Sequence, residues 1–273
     1  MNKKRQHILS LSYGKDSIAC LGAIGELGWP LDRIIHAEVW ATDTIPADPP
    51  PMVEFKTRAD AIILERWGLV VEHIRAVKTY EQQFYSVYQS GQRIGAIYGW
   101  PILKGPWCNS MLKVGILDQA SRGATTYVGI AADEPGRFHG LSDTKKSPLV
   151  AADWNEARCR KWCEENDLLS PIYTTATRGG CWFCHNQGIE QLRRLRQDYP
   201  EYWSLMMKWD QDSIRLFDPH GHTLRDFERR FQMEDRLHID TDANGFKWEM
   251  IDKGVPARYL LKARIRWLEQ RDE

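Results

Sequence analysis

The sequence has no long hydrophobic run, no net charge and no internal repeat, and each absence closes off a class of function. No stretch approaches the roughly 20 apolar residues that a membrane-spanning helix needs, so no membrane is expected among its partners. Residues 1–7 are basic, but the apolar run behind them, residues 8–11, is too short for the core of a secretory signal. The expectation is a cytoplasmic protein. Its six Cys then read as core residues, metal ligands or reactive thiols and not as a disulfide framework. Lys plus Arg and Asp plus Glu both number 37, giving a formal net charge of +0. That balance excludes broad attraction to polyanions and leaves only a local basic groove open. Residues 186–273 hold sixteen Lys or Arg against seventeen Asp or Glu, so this tail is not a basic arm.

What is present is ordinary globular composition, 42% hydrophobic and 27% charged over 273 residues, with an unusual twelve Trp. Indole rings serve first as packing anchors and second as base-stacking platforms. Short runs rich in β-branched residues predict strands at 8–11, 34–40, 69–74 and 125–131. Helical spacing predicts helices at 17–27, 53–67 (closed by Gly68), 80–88 and 110–121, with a proline-dense loop at 46–51. Strands alternating with helices imply an α/β fold, a doubly wound, mostly parallel sheet covered on both faces. Such sheets bind ligands at the carboxyl ends of their strands, where the loops at Ser12, Thr42 and Ala132 would converge. Beyond residue 186 the pattern turns helical, at 189–209, 223–236 and 257–270. This divides the chain into a nucleotide-binding α/β domain, 1–185, and a smaller, mainly helical, Trp-rich C-terminal region, 186–273.

The segment Ser12-Tyr13-Gly14-Lys15-Asp16-Ser17 lies between a predicted strand and a predicted helix. A turn there presents backbone N–H groups at a helix N-terminus, where the dipole also favours an anion. Gly14 permits close approach or a positive φ, Lys15 brings a charge, Ser12 and Ser17 bring hydroxyls, and Asp16 can bind Mg²⁺ or cap the helix. It is not a Walker A loop, because Asp follows the Lys and the spaced upstream Gly is missing. The alternative is an ordinary strand–turn–helix corner in which Asp16 is a cap.

Cys181-Trp182-Phe183-Cys184, preceded by Gly179-Gly180, forms a knuckle suited to Zn²⁺ or an iron–sulfur cluster. Cys159 and Cys163, at i and i+4 of a helix predicted over 155–165, either complete a four-Cys zinc site with it or form an apolar stripe with Trp162. Cys20 reads as core. Asp133, Glu134 and Arg137 follow a predicted strand on the substrate side, where Arg137 suits a phosphate or sulfate. Lys113 and Arg178 flank the cysteine segments, where a cation lowers a thiolate pKa. Asp43, after the second strand, touches the nucleotide or caps a helix. His220 and His222 read as a polar turn, and Arg193-Arg194 and Arg229-Arg230 as solvated helix faces.

Ser-x-Gly-Lys-Asp-Ser after a first strand resembles the pyrophosphate loop of the PP-loop ATP pyrophosphatases and of their phosphoadenosine phosphosulfate (PAPS) reductase-like relatives. Further blocks follow in that superfamily's order. Trp107-Cys108-Asn109-Ser110-Met111-Leu112-Lys113 resembles its Cys-Cys-x-x-Arg-Lys segment, and Gly129 to Arg137 resembles Gly-x-Arg-x-x-Glu-x-x-Arg. Pro148-Leu149, Asp153-Trp154, Pro171-Ile172-Tyr173 and Arg178-Gly179-Gly180-Cys181-x-x-Cys184 resemble its closing module. The usual Gly-Gly is Tyr13-Gly14 here, and Trp107-Cys108 stands where the cluster-bearing reductases carry a vicinal Cys pair.

The resemblance implies a HUP/PP-loop fold and an enzyme that binds ATP with Mg²⁺ on Ser12 to Ser17 and adenylates a substrate. It implies sulfur transfer to a nucleobase or nucleic acid, with tRNA or DNA as acceptor and a sulfur-donor protein as partner. A homodimer is also expected. Cys108, Cys181 and Cys184 would hold a [4Fe–4S] cluster with one iron open, or His185 would complete a zinc site with them. Two other readings stay open. Sulfonucleotide reduction would need a mobile Cys nucleophile, and no Cys follows Cys184. A non-catalytic nucleotide-binding module would use the helical region as its interface.

Overall fold

The computed structural model of the chain describes residues 5–101, 105–174, 179–218, 220–237 and 247–254. Arg178 and the helix expected at 257–270 lie outside the described residues. Contacts divide the chain into two compact units, residues 1–83 with 104–182 and residues 84–103 with 183–273. The segment 84–103 therefore groups with the second unit, where a linear division at 185 keeps it in the first.

The first unit is built on five strands: β1 (His7–Ser10), β2 (Arg33–Glu38), β3 (Val71–Arg75), β4 (Thr125–Tyr127) and β5 (Lys145–Lys146). They lie in the order β3-β2-β1-β4-β5, and every neighbouring pair is parallel. Side chains alternate across the sheet because strand periodicity is two. Leu9, Leu11 and Ile34 face α1 (Lys15–Leu27) and α2 (Pro50–Trp67), whereas Ile8 and Ile35 face Leu117 and Ala120 on the opposite side. The fold is thus α/β, with a parallel sheet buried between helices.

Several boundaries differ from the sequence expectation for identifiable reasons. α2 begins at Pro50, inside the expected loop, because proline is suited to a first helical turn whose N–H groups are unpaired anyway. It ends on Gly68, whose φ of 66° is the left-handed conformation that glycine adopts without strain. β4 stops at Tyr127 because the chain turns, the Ile130 N–H donating to the Val128 carbonyl at 3.1 Å. The helix expected at 110–121 starts at Trp107 and carries a π-helical turn, Ser110–Val114, before continuing as Gly115–Ala120. β5, two lysines long, carries no apolar signal and was not expected. No helix among the described residues is long and apolar enough to cross a membrane.

In the second unit the single helix expected at 189–209 is two, Ile189–Asp198 and Pro200–Asp212. Pro200 lacks an N–H and would collide with the preceding turn, so it starts a new helix. Residues expected in the Tyr80–Phe84 helix up to 88 instead form an antiparallel bridge, Val87 with Ile97. Trp100 and Trp209 are fully buried among Phe84 and Phe217, and the Trp100 indole donates to Asp210 at 3.0 Å. These indoles are core, as the packing reading expects. The doublets Arg193-Arg194 and Arg229-Arg230 require correction as solvated faces. Adjacent helical residues point about 100° apart, so Arg193 and Arg230 turn inward onto Glu234 at 2.9 and 2.8 Å, while Arg194 and Arg229 stay exposed.

One contact joins the two halves of the sheet to the start of α1. A Cβ on Gly129 would lie 2.5 Å from the Ser17 nitrogen and 2.7 Å from the Asp16 carbonyl carbon. Because those atoms are backbone, Gly129→Ala should lower stability by about 1–3 kcal/mol. Gly25→Ala, on α1 with open space around it, should cost nothing. Denaturant unfolding of both variants checks this; equal stabilities would contradict the close approach.

Candidate functional site

Strand order reverses between β1 and β4, so the loops that leave their carboxyl ends flank a crevice. Residues 11–17 leave β1 and residues 128–134 leave β4. Together they border a cavity of about 620 Å³ lined by the whole loop from Ser12 to Ser17. Its walls also include Lys56, Lys113, Glu134, Arg137, Glu156 and Tyr173, with Cys181 at one end.

The loop is fixed from within and from below. Ser17 Oγ donates to the Gly14 carbonyl at 3.0 Å and accepts from the Ser12 N–H and hydroxyl at 3.1 and 2.9 Å. The turn is made at Tyr13, with φ of 57°, and not at Gly14, whose φ is −77°. A non-glycine residue in the left-handed region costs roughly 1–2 kcal/mol, and here the side chain holds it in place. The Tyr13 ring is buried against His36 and Phe55, and its hydroxyl donates to Asp60 of α2. Burial and the Asp60 carboxylate push the phenol pKa far above its ordinary value, so it stays a donor. Tyr13 therefore shapes the loop from the core side.

α1 opens without a side-chain cap. The Lys15 N–H donates to the Tyr173 hydroxyl at 3.0 Å, and the N–H groups of Gly14 and Asp16 meet no acceptor among the described residues. The Lys15 ammonium is nearly buried, 2.7 Å from Asp16 and 3.0 Å from Glu156. Burial disfavours that charge, but the hydrogen bonds it donates to both carboxylates outweigh it and hold the Lys15 pKa above its ordinary value. Burial raises the Asp16 pKa more than Lys15 lowers it, leaving it above the usual carboxylate range. Backbone donors and a fixed cation thus line one cavity, which suits an anionic group.

Beside the loop, the Lys56 ammonium is buried between Asp48 and His36, 2.8 Å from His36 Nε2. Burial first, and then the Lys56 charge, lower the His36 pKa, so its ring is neutral and its Nδ1 donates to the Leu11 carbonyl at 2.8 Å. This set escaped sequence reading, as did Glu156 and Tyr173. Tyr173 alone had a sequence signal, within Pro171-Ile172-Tyr173.

Other expected site residues are placed variously. Glu134 and Arg137 form a close pair at the cavity wall, one guanidinium nitrogen of Arg137 donating to both Glu134 carboxylate oxygens at 2.6 and 2.7 Å. Asp133 turns its carboxylate to the Glu156 N–H, 3.1 Å away, at the start of the Glu156–Glu165 helix. Asp43 lines a separate cavity of about 150 Å³ with Arg75 and Lys78, and accepts from Gln82 at 3.1 Å. Lys113 sits on the π-helical turn, a device that often re-aims a functional side chain.

Cys181 is held at the cavity by Trp182, whose N–H and indole donate to the Ala47 and Pro46 carbonyls at 2.9 and 2.8 Å. Cys108 is half-buried in the same unit, while Cys184 and the buried His185 fall in the second. Among the described residues no three His, Cys, Asp or Glu side chains are arranged to hold a metal ion. Cys20, Cys159 and Cys163 are fully buried core residues. Burial pushes the Cys159 thiol up to about 12 and Cys163 higher still, and Cys163 donates to the Lys15 carbonyl at 3.2 Å.

Comparison with protein-family models, with curated proteins and with solved structures finds no match.

The anchor under the loop makes a pH-dependent prediction. His73 Nε2 lies 2.8 Å from Asp60, which holds the His73 pKa above its ordinary value despite partial burial. The folded chain keeps this proton to higher pH than the unfolded chain does. Its stabilisation is complete below the unfolded value of roughly 6.5 and is lost as pH rises through the folded one. The stability gap between wild type and His73→Gln should therefore be larger at about pH 6 than at about pH 8.5. Urea unfolding at the two pH values measures it, and a gap independent of pH would contradict the assignment.

Proposed function

We propose that the first unit is an ATP pyrophosphatase of the PP-loop type that adenylates a substrate. The observation that carries this reading is that Gly14 and Asp16, whose N–H groups meet no acceptor among the described residues, line one cavity at the strand switch together with Lys15. A cavity of about 620 Å³ has room for a nucleotide with its phosphates at the loop. The motif order from Ser12 to Cys184 supports the same family.

The substrate is magnesium-bound ATP. The Gly14 and Asp16 N–H groups and Lys15 receive the β- and γ-phosphates, and Tyr13 keeps the loop rigid so that little reorganisation is needed on binding. A nucleophilic oxygen of the acceptor attacks the α-phosphorus as the bond to the bridging α–β oxygen breaks. Pyrophosphate leaves with that electron pair, Lys15 offsetting its growing charge, and the acceptor carries AMP on its oxygen. Sulfide-level sulfur delivered by a donor protein then attacks the activated carbon, the C–S bond forming as the C–O bond breaks and AMP leaves with the oxygen, which is thiolation of a nucleobase or nucleic acid. Arg137 is suited to the acceptor's anionic group once Glu134 releases it. Thiolates from Cys108, Cys181 and Cys184 would suit iron–sulfur or zinc, although among the described residues no three metal-ligating side chains are grouped.

Pyrophosphate release from ATP tests the reading. Lys15→Ala, and Asp16→Ala, which removes the carboxylate suited to the substrate's magnesium, should each lower it at least about 100-fold, the order lost with one preorganised charge. Release unchanged in both variants would contradict an ATP pyrophosphatase.

A further inference from the structure

Lys15 offers two donors to the cavity, and each is already taken by an oxygen from elsewhere in the chain. Its N–H meets the Tyr173 hydroxyl at 3.0 Å, and its ammonium meets Glu156 Oε2 at 3.0 Å. Asp16 is the lysine's own neighbour and travels with it. Glu156 comes from another helix, is half exposed and lines the cavity.

The position is that of a surrogate anion. A carboxylate oxygen at 3.0 Å from an ammonium occupies the place a phosphate oxygen would take, with similar geometry and less charge. Lys15 is thus countered by two carboxylates, Asp16 and Glu156. An incoming anion must therefore displace Glu156 before it gains the full charge of Lys15. Displacement leaves the carboxylate well placed. It lies in the first turn of the Glu156–Glu165 helix, where the dipole favours a negative group, and Asp133 and Asn155 hold that helix start independently.

We propose that Glu156 is a specificity-determining residue that competes with the ligand for Lys15 and so sets the affinity threshold of the loop. Small anions, which contact little besides the loop, barely pass that threshold and bind weakly. A ligand that also fills the rest of the cavity, as a nucleotide does, exceeds it. This rests on the reading of the loop as a phosphate site, and it assigns Glu156 the opposite sign from a ligand-binding group: its removal strengthens binding.

Calorimetric titration of the full chain with inorganic pyrophosphate and with inorganic phosphate, in magnesium buffer, tests it. Glu156→Gln should bind both roughly three- to tenfold more tightly than wild type, the range expected when a partly exposed charge pair is removed as competitor. Glu156→Asp, which keeps the charge, should return most of the way to wild type. Thermal unfolding confirms that both variants are folded, as expected for a side chain whose ion pair among the described residues is to Lys15 alone. Unchanged or weaker binding by Glu156→Gln, with wild type binding measurably, overturns the competitor role and leaves the phosphate loop standing. Binding of neither anion by any of the three proteins overturns both.

Discussion

The buried hydroxyl of Tyr13, bonded to Asp60, is the interaction on which the site depends. It holds a tyrosine at φ of 57°, a backbone that side chains disfavour, and so commits the chain to a tight turn between β1 and α1. Glycine would take that turn freely but could not hold it. The phenol ties the turn to α2 and, through Asp60, to His73 of β3. A loop that must present bare N–H groups cannot use them for its own bonding, so part of its rigidity is drawn from the core beneath it.

From that turn the rest follows in order. Ser17 closes the loop on itself, Gly129 lets the chain after β4 pack directly on the Asp16–Ser17 backbone, and Lys15 enters the wall between two carboxylates. The sheet sets the place and the loop sets the chemistry. Because β1 and β4 are neighbours across the change of strand order, the segments that leave them border one cavity, and Glu134 and Arg137 line it together with the loop. The nearly buried ammonium gains from its paired carboxylates what it loses by leaving water. The same pairing keeps it from being a bare anion trap.

Much of the first unit was legible because its signals are local. The β-branched runs at Ile8 and Ile34, the glycine at 68 and the Ser12–Ser17 motif each act within a few residues. β5 was not legible, since two lysines carry no burial signal and are strand only by pairing with β4. Tyr173 and Glu156 meet Lys15 across most of the first unit's length, and no periodicity announces such a partner. The His36–Lys56–Asp48 set hid as an ordinary strand histidine and helix lysine until burial joined them. In the second unit the doublets Arg193-Arg194 and Arg229-Arg230 misled because charge suggested solvent, while a single buried glutamate, Glu234, draws one arginine of each pair inward.

The claim at the centre is that the loop after β1 receives an anion through backbone N–H groups. Amide chemical shifts read those groups directly. On titration with magnesium pyrophosphate, the Gly14 and Asp16 amides should shift in a saturable way, and more than amides distant from the cavity. Saturation with those two amides unmoved would contradict the account, because the anion would then be bound elsewhere.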